Sequence, residues 1–295
     1  MSVIDSPRIV EQKAKTPERL LRRLLRQRQA KIGIALTAAV VVVALFGPLM
    51  LPWATGYTST EFAARPFKPD GLFGTDNLGR DVLTRFLDGG LRLLVFAALA
   101  TLLGMVIGVL SGMIAAYRGG WVDSAIMRTN DILLALPQLV FALLAITVLG
   151  PQAWVLVTVI GITHAPRIAR VTRSATAAVV TEDFIRASEM YAVPKWKIVL
   201  QEVLPNITGP LMVELGLRMT YSIGALASLS FLGLGMQPPT SDWGLMINEN
   251  RIALAVQPWG VILPVLAIAV LTVGTNLITD SLARASASLN VGESK

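Results

Sequence analysis

The chain has 295 residues, of which 54% are hydrophobic and 15% are charged, whereas about 25% of the residues in an ordinary soluble domain are charged. This composition excludes a disordered protein and a typical soluble enzyme, and the lack of cysteine excludes disulfides and thiolate metal sites. The formal net charge of +7 would suit a nucleic-acid-binding protein, but residues 1–31 hold nine Lys and Arg against three Asp and Glu. We therefore expect an integral membrane protein with no nucleic-acid partner.

The N-terminal part predicts a basic cytoplasmic segment, residues 1–31, followed by a first transmembrane helix, residues 32–51. The apolar run has no charge over a length that crosses a bilayer, and it is longer than the apolar part of a typical signal peptide. We expect it to stay uncleaved. The basic segment is either an amphipathic helix on the anionic inner surface, over residues 16–31, or a solvated tail that sets the topology.

Residues 52–92 are expected to form an extracytoplasmic loop with an interfacial helix. Thr75 or Asp76 can cap a helix that runs toward Phe86. Acidic and basic side chains oppose one another along this helix: Asp76, Asp81, Arg80 and Arg85. On the residues alone the segment is an ordinary helix without a catalytic pair.

Three further apolar segments, residues 93–116, 132–149 and 260–279, predict transmembrane helices. The first of them carries a small residue at every fourth position: Gly104, Gly108, Gly112 and Ala116. Small residues let helix backbones approach closely. The stripe predicts packing within the chain or, alternatively, an interface with another subunit.

Two segments are less regular. Residues 153–163 are apolar, but His164, Pro166 and Arg167 follow, so this piece alone could be interfacial or re-entrant. Residues 211–232 are long enough to span but contain Glu214 and Arg218, and charges at that depth normally face a cavity or a partner. Glu214 and Arg218 are either a neutralising pair packed between helices or part of a pathway that meets the charged ends of a peptide-like solute.

Counting both segments gives six spans, with both termini cytoplasmic. This orientation places most of the 26 Lys and Arg residues on the inner side, as the positive-inside rule requires.

The longest cytoplasmic connection, about residues 172–206, predicts two short helices joined by a tight turn. The turn falls at Ala192 and Val193, and Pro194 suits the first position of the second helix. Large side chains cluster at this bend: Met190, Tyr191 and Trp196. A solvated knob would not need them, so the bend predicts a surface for a cytoplasmic partner.

Several absences limit the chemistry. The chain has no Gly-x-x-x-x-Gly-Lys-Ser/Thr loop for nucleotide phosphates, a single histidine, and no chain of carboxylates within its spans. We therefore expect no catalytic residues and no metal site. An intramembrane enzyme or a structural scaffold fits poorly; a channel or a transporter without its own energy source remains.

The sequence resembles the C-type permease subunits of bacterial ATP-binding-cassette (ABC) importers for dipeptides, oligopeptides and nickel, over about residues 28–286. The strongest match is the signature before the second span, which contains Gly74, Thr75, Asp76, Asn77, Gly79, Arg80 and Asp81. Three other stretches also match, at residues 119–123, 131–137 and 230–239.

The loop after the fourth span falls where this superfamily carries its ATPase-docking motif, Glu-Ala-Ala, then glycine, then Leu-Pro. Counting back from Leu204 and Pro205 places the motif's first residues on Arg186, Ala187 and Ser188, and its glycine on Ala192. The glutamate and the glycine are thus replaced, while Trp196 and Asn206 match the subfamily pattern. An alanine can make the bend if the turn does not require a positive φ.

The resemblance implies an all-α, six-helix membrane protein with the type I importer permease fold and a cytoplasmic coupling loop. Residues 93–286 would be the permease core and residues 287–295 a cytoplasmic tail. The implied partners are a homologous second permease, two ATPases that bind ATP and Mg²⁺, an extracytoplasmic solute-binding protein and membrane lipid. Peptides are the expected cargo; nickel chelates, glutathione-like peptides or oligosaccharides are alternatives, and an ATP-independent channel or carrier is a remote one.

Overall fold

The computed structural model describes residues 24–54, 56, 58–69 and 71–291, and this part of the chain is helical without a β-strand. Most of the basic N-terminal segment and residues 292–295 of the predicted tail lie outside the described residues. The first helices are α1 (Arg28–Ala54), α2 (Val82–Arg118), α3 (Gly120–Ala135), α4 (Gln138–Leu149) and α5 (Ala153–Val180).

The remaining helices start with α6 (Asp183–Met190). Three consecutive pieces, which we call α7 together, follow: an α-helical turn (Lys195–Lys197), a π-helix (Ile198–Val203) and a second α-helical turn (Leu204–Asn206). The chain continues as α8 (Thr208–Phe231), α9 (Trp243–Asn250) with a 3₁₀ turn (Arg251–Ala253), and α10 (Trp259–Val291).

By length and composition, three helices of the described chain can cross a membrane: α1, α2 and α10. A fourth is added if α3 and α4, which meet at an angle of 83°, count as one bent span. The prediction of a continuous span over residues 132–149 was therefore wrong. Pro137 lacks a backbone N–H, and Leu136 before it is extended (φ −87°, ψ 127°), as residues preceding proline usually are.

The segment that begins at Ala153 is not a short interfacial piece. It continues as one helix through Pro166 to Val180, and its 28 residues exceed the length that a bilayer requires. By position along the chain, the six predicted spans fall on α1, α2, the α3–α4 pair, α5, α8 and α10. Of these, α5 and α8 are long enough to cross a membrane but less apolar than the others.

The pair α2 and α5 forms the centre of the fold, and the glycine stripe is the reason these helices pack closely. A Cβ atom on Gly104 would lie 2.9 Å from the Gly161 carbonyl oxygen, and one on Gly112 would lie 2.5 Å from the Ala169 carbonyl oxygen. The contacts advance in the same direction on both helices, so α2 and α5 are parallel and the α3–α4 pair returns the chain between them. In the described chain these glycines pack internally, as predicted.

We expect Gly108→Ala to destabilise the protein by about 1–3 kcal/mol, the usual effect of overpacking a close contact. The new methyl group would lie 2.6 Å from Ile168 Cβ and 2.7 Å from the Ala165 carbonyl oxygen. The matched control is Gly224→Ala on α8, where a Cβ meets nothing within 4 Å. Thermal unfolding in detergent would test this, and equal midpoints for the two variants would contradict the packing argument.

A second apolar cluster lies at the C-terminal end of α2 and fixes α6 and α7 to the bundle. Met113 of α2 packs there with Ile185 of α6, and with Ile198 and Val203 of α7. At the other end of α2, the buried Trp243 of α9 stacks on Phe86 at 5.4 Å between ring centroids. The two ends of α2 therefore carry two different surface structures.

Candidate docking hairpin and signature loop

The first candidate site is the α6–α7 hairpin, residues 181–207. Its inner face is apolar and buried through Ile185, Ile198 and Val203. At its bend three large side chains are exposed: Met190 (88%), Tyr191 (84%) and Trp196 (61%). The buried residue of α6 is Ile185. Helix α5 reaches Val180, so the connection begins later than the predicted residue 172. An apolar surface exposed on a buried base is suited to binding a partner.

The predicted coupling residues divide by exposure. Most of them are exposed: Arg186, Ala187, Met190, Tyr191, Ala192, Pro194, Trp196 and Pro205. The others are half-buried: Ser188, Val193 and Leu204. Arg186, which replaces the glutamate of the family motif, makes only a 3.9 Å ion pair with the fully exposed Asp183, so its side chain stays available at the surface.

Alanine was expected to suit this turn only if no positive φ was needed there. The turn does need a positive φ. Ala192 has φ +55°. The Ala192 N–H donates to the Glu189 carbonyl at 3.0 Å, and the Val193 N–H donates to the Ser188 carbonyl at 3.1 Å, which is the Schellman pattern that ends a helix with a left-handed residue. Pro194 caps the next helix (φ −57°, ψ 133°) and is not its first residue.

We expect Ala192→Gly to stabilise the hairpin by about 0.5–1 kcal/mol. An L-residue in this region carries about 1–2 kcal/mol of strain, and part of the relief is offset by the extra freedom of glycine in the unfolded chain. Thermal unfolding of the purified protein measures the effect, with Ala187→Gly in the helix interior as the destabilising control. An unchanged or lower midpoint for Ala192→Gly would contradict the strain argument.

Polar contacts fasten the hairpin internally and to α2. The Ser188 hydroxyl lies 2.8 and 2.9 Å from the two carboxylate oxygens of Glu202, which joins α6 to α7. The Tyr117 hydroxyl at the end of α2 donates to Glu189 at 2.7 Å, and the Lys195 ammonium lies 5.8 Å from the Tyr117 ring centroid. The hairpin is thus held to the end of α2 as a unit.

The second candidate site is the signature loop, residues 74–81, and it is not the start of a helix. The helix begins at Val82, and its N-cap is Asp81, whose side chain accepts from the Thr84 N–H at 2.7 Å. Thr75 and Asp76 do not cap it. Residues 82–92, predicted as part of the outer loop, are the first turns of α2.

Asp76 lies at the centre of a buried ion cluster. Its Oδ2 atom is 2.8 Å from Arg80 Nε and 2.7 Å from Arg85 Nη1. Glu249, at the end of α9, is the second carboxylate of the cluster: its Oε2 accepts from Arg80 Nη2 at 3.2 Å and also from Arg85. The arginine and Asp76 side chains are at most 3% exposed and Glu249 is 10% exposed, so a largely buried cluster joins the signature loop to α9.

The remaining signature residues shape the loop around this cluster. Gly74 and Gly79 have φ +72° and +82°, and a Cβ on Gly79 would lie 2.1 Å from the Ala64 carbonyl oxygen. The Thr75 hydroxyl donates to the Arg65 carbonyl at 2.7 Å, and the Asn77 N–H donates to Asn250 Oδ1 at 3.2 Å. The signature thus encodes a folded loop bound to α9.

Glu249 is the residue that the sequence analysis missed. It lies far from Arg85 along the chain, and a single sequence gives no signal that pairs them. The charges beside the signature gave no hint of a missing carboxylate, because residues 74–92 hold three arginines and three aspartates.

Glu214 and Arg218 are brought together on α8, with Arg218 Nε 2.9 Å from Glu214 Oε2, and both are buried. Arg218 also lies 5.1 Å from the ring centroid of Tyr221, which is exposed. Nearby on α8, Ser222 bonds His164 of α5 at 3.0 Å and Thr101 of α2 at 2.9 Å. Burial within the chain favours the packed neutral pair, and a direct pathway role stays a prediction.

Comparisons with known proteins agree with this architecture. The family model described as binding-protein-dependent transport system inner membrane component matches residues 104–288. A dipeptide transport system permease protein of Alkalihalophilus pseudofirmus is 32% identical over 263 residues, covering 88% of this chain and 86% of that protein. A glutathione transport system permease protein of Pectobacterium atrosepticum is 32% identical over 278 residues, covering 94% and 92%.

Among solved structures, a chain of an inward-facing methionine ABC transporter matches with a TM-score of 0.47 and 19% identity, covering 65% of this chain and 93% of that one. The assignment of the protein rests on the family model and the sequence relatives. They confirm the predicted all-α permease fold of type I importers and a multi-pass membrane protein. The chain belongs to the family of inner-membrane components of binding-protein-dependent transport systems, the permease subunits of ABC importers.

Proposed function

We propose that this permease forms, with a homologous second permease, the pathway by which an ABC importer takes up dipeptides or oligopeptides. The names of the relatives support a peptide cargo, since they describe dipeptide, glutathione and peptide transport. The observation that carries the role of the chain is the α6–α7 hairpin, which presents exposed Met190, Tyr191 and Trp196 on a buried base.

The proposed mechanism assigns ATP and Mg²⁺ to two partner ATPases and only the mechanical step to this chain. The bend of the hairpin would bind in a groove of one ATPase on the cytoplasmic side, with both termini of the permease on that side. Because the hairpin is fastened to α2 through Tyr117 and Met113, closure of the ATPases would move the hairpin and the end of α2 together. That movement would switch the pathway between its outward-open and inward-open states.

The test begins with purification of the chain from native membranes in mild detergent, with mass spectrometry of the proteins that copurify. We expect a second permease, ATPases and a solute-binding protein. Reconstituted with ATP, the complex should import a labelled dipeptide, and a non-hydrolysable ATP analogue should stop the import. If the chain were recovered alone and solute crossed the membrane without ATP, the importer assignment would be overturned.

The same preparation identifies the cargo. Uptake of a dipeptide, glutathione, a nickel chelate and an oligosaccharide would be compared at equal concentration. Transport of the chelate or the oligosaccharide in preference to both peptides would overturn the peptide assignment and leave the importer assignment intact.

A further inference from the structure

Arg167 lies in the middle of α5, at membrane depth. The helix has 28 residues, and any 20 consecutive residues of it, about the number that crosses a bilayer, include Arg167. The neighbouring helix gives the same depth: Ala165 and Ile168, on either side of Arg167, meet α2 at Gly108. Gly108 lies inside the uncharged stretch 93–116, about 12 Å from its nearer end at 1.5 Å per residue.

Arg167 differs from the other charged side chains at this depth because it has no partner within the described residues. On the same helix, Arg170 is paired with Asp131, and Arg173 makes two hydrogen bonds with Asp123. On α8, Glu214 neutralises Arg218. Arg167 is exposed, and no hydrogen bond or ion pair joins it to a residue of the described chain.

An unpaired guanidinium that faces lipid at this depth would be energetically unfavourable. Arginine near the end of a span avoids this cost by extending to the headgroups, but 12 Å is longer than an extended arginine side chain reaches. Charged residues at membrane depth normally face a water-filled path or an opposite charge. The described chain supplies no opposite charge for Arg167, so this exposed face of α5 borders either the solute path or a second subunit.

We propose that Arg167 lines the translocation pathway and binds the carboxylate of the transported solute. A guanidinium can donate two parallel hydrogen bonds to a carboxylate, and it stays charged at every physiological pH. Arg218 on α8 is less suited to this role, because its charge is neutralised by Glu214. This proposal rests on the proposed import of peptides, whose free C-terminus supplies the carboxylate.

The test compares two cargoes in the complete reconstituted importer: a dipeptide and the same dipeptide with a C-terminal amide. The measured quantity is the ratio of their initial uptake rates, at saturating solute-binding protein loaded with each cargo. Any preference of the binding protein itself is common to all permease variants, so a change in the ratio between variants reports on the permease. We expect Arg167→Gln to lower the ratio of acid to amide at least tenfold, and Arg167→Lys to keep most of it.

The matched control is Arg170→Gln, one turn away on the same helix. Its guanidinium is already paired with Asp131, so we expect the ratio to stay at the wild-type value. An equal loss of acid and amide transport in Arg167→Gln would overturn the carboxylate contact. Loss of the second permease on purification would also overturn it, since Arg167 would then be a subunit ion pair.

If the proposed import of peptides is wrong, the experiment gives a different and distinguishable result. If the wild-type importer carries no peptide, the ratio is taken for the solute found in the copurified binding protein, as free acid and as methyl ester. An anionic solute whose ratio falls in Arg167→Gln supports the inference although the peptide assignment fails. A cargo without any anionic group overturns the inference as well.

Discussion

Asp76→Asn is expected to destabilise the protein by about 3–5 kcal/mol, because it removes one carboxylate from a buried cluster that contains two arginines. Asp76 contacts Arg80 and Arg85 at 2.8 and 2.7 Å, and its other oxygen accepts from the Leu78 and Arg80 N–H groups at 2.9 Å. With asparagine in its place, Glu249 alone would face both guanidinium groups. The loop would then separate from α9, and the midpoint of thermal unfolding in detergent should fall.

The control for this variant is Asp88→Asn. Asp88 pairs with Arg92 at 3.4 Å, and the arginine is more than a third exposed, so the expected effect is below about 1 kcal/mol. Glu249→Gln should resemble Asp76→Asn in direction, because it removes the other carboxylate of the cluster. If Asp76→Asn unfolded at the same temperature as Asp88→Asn, the cluster would not hold the loop to α9.

The signature loop also shows where prediction from a single sequence fails. The spacing of Asp76 and Arg80 fits one turn of a helix, and their charges do pair. The backbone between them is nevertheless not helical, because positive φ angles at Gly74 and Gly79 and hydrogen bonds to distant residues outweigh the local pattern. Those bonds, like the contact with Glu249, join parts of the chain that only the fold brings together.

The end of helix α5 was placed too early for a related reason. The sequence pattern indicated that the apolar segment ends at Thr163, since His164, Pro166 and Arg167 follow it. The helix continues because His164 and Pro166 are buried against neighbouring helices, where Ser222 bonds the imidazole. A hydropathy average covers all faces of a helix, so it cannot distinguish a helix with a buried polar face from a loop. For this reason Arg167 was assigned to the cytoplasmic connection that follows the span.

Other features depend on local chemistry and were predicted. The three most apolar helices could be predicted because their length and their lack of charge are visible in the sequence itself. The glycine stripe on α2 predicted close packing, although its partner, α5, could not be read from the stripe. The hairpin was predicted from Pro194 and the large side chains at its bend, whereas the left-handed φ of Ala192 was not, since alanine rarely adopts it.

The exposed bend gives the second large expected effect. We expect Tyr191→Asp to reduce the amount of ATPase that copurifies with the permease at least tenfold and to abolish solute-stimulated ATP hydrolysis by the complex. An aspartate there would place an unpaired charge in the proposed ATPase interface, which is strongly unfavourable if water is excluded from it. Quantitative mass spectrometry of the purified complex measures the first effect, and phosphate release in proteoliposomes measures the second.

Tyr191→Asp should weaken ATPase binding without changing the folding of the permease. Tyr191 makes no contribution to the buried base of Ile185, Ile198 and Val203, so the variant permease should unfold at the wild-type temperature. Ile252→Asp is the control: Ile252 is 80% exposed and follows α9, at the other end of α2. Recovery of the ATPase should not change in this control. If the Tyr191→Asp variant still copurified with the ATPase, or if Ile252→Asp lost as much ATPase, the bend would not be the docking surface. The ATPase would then have to contact the permease at another place.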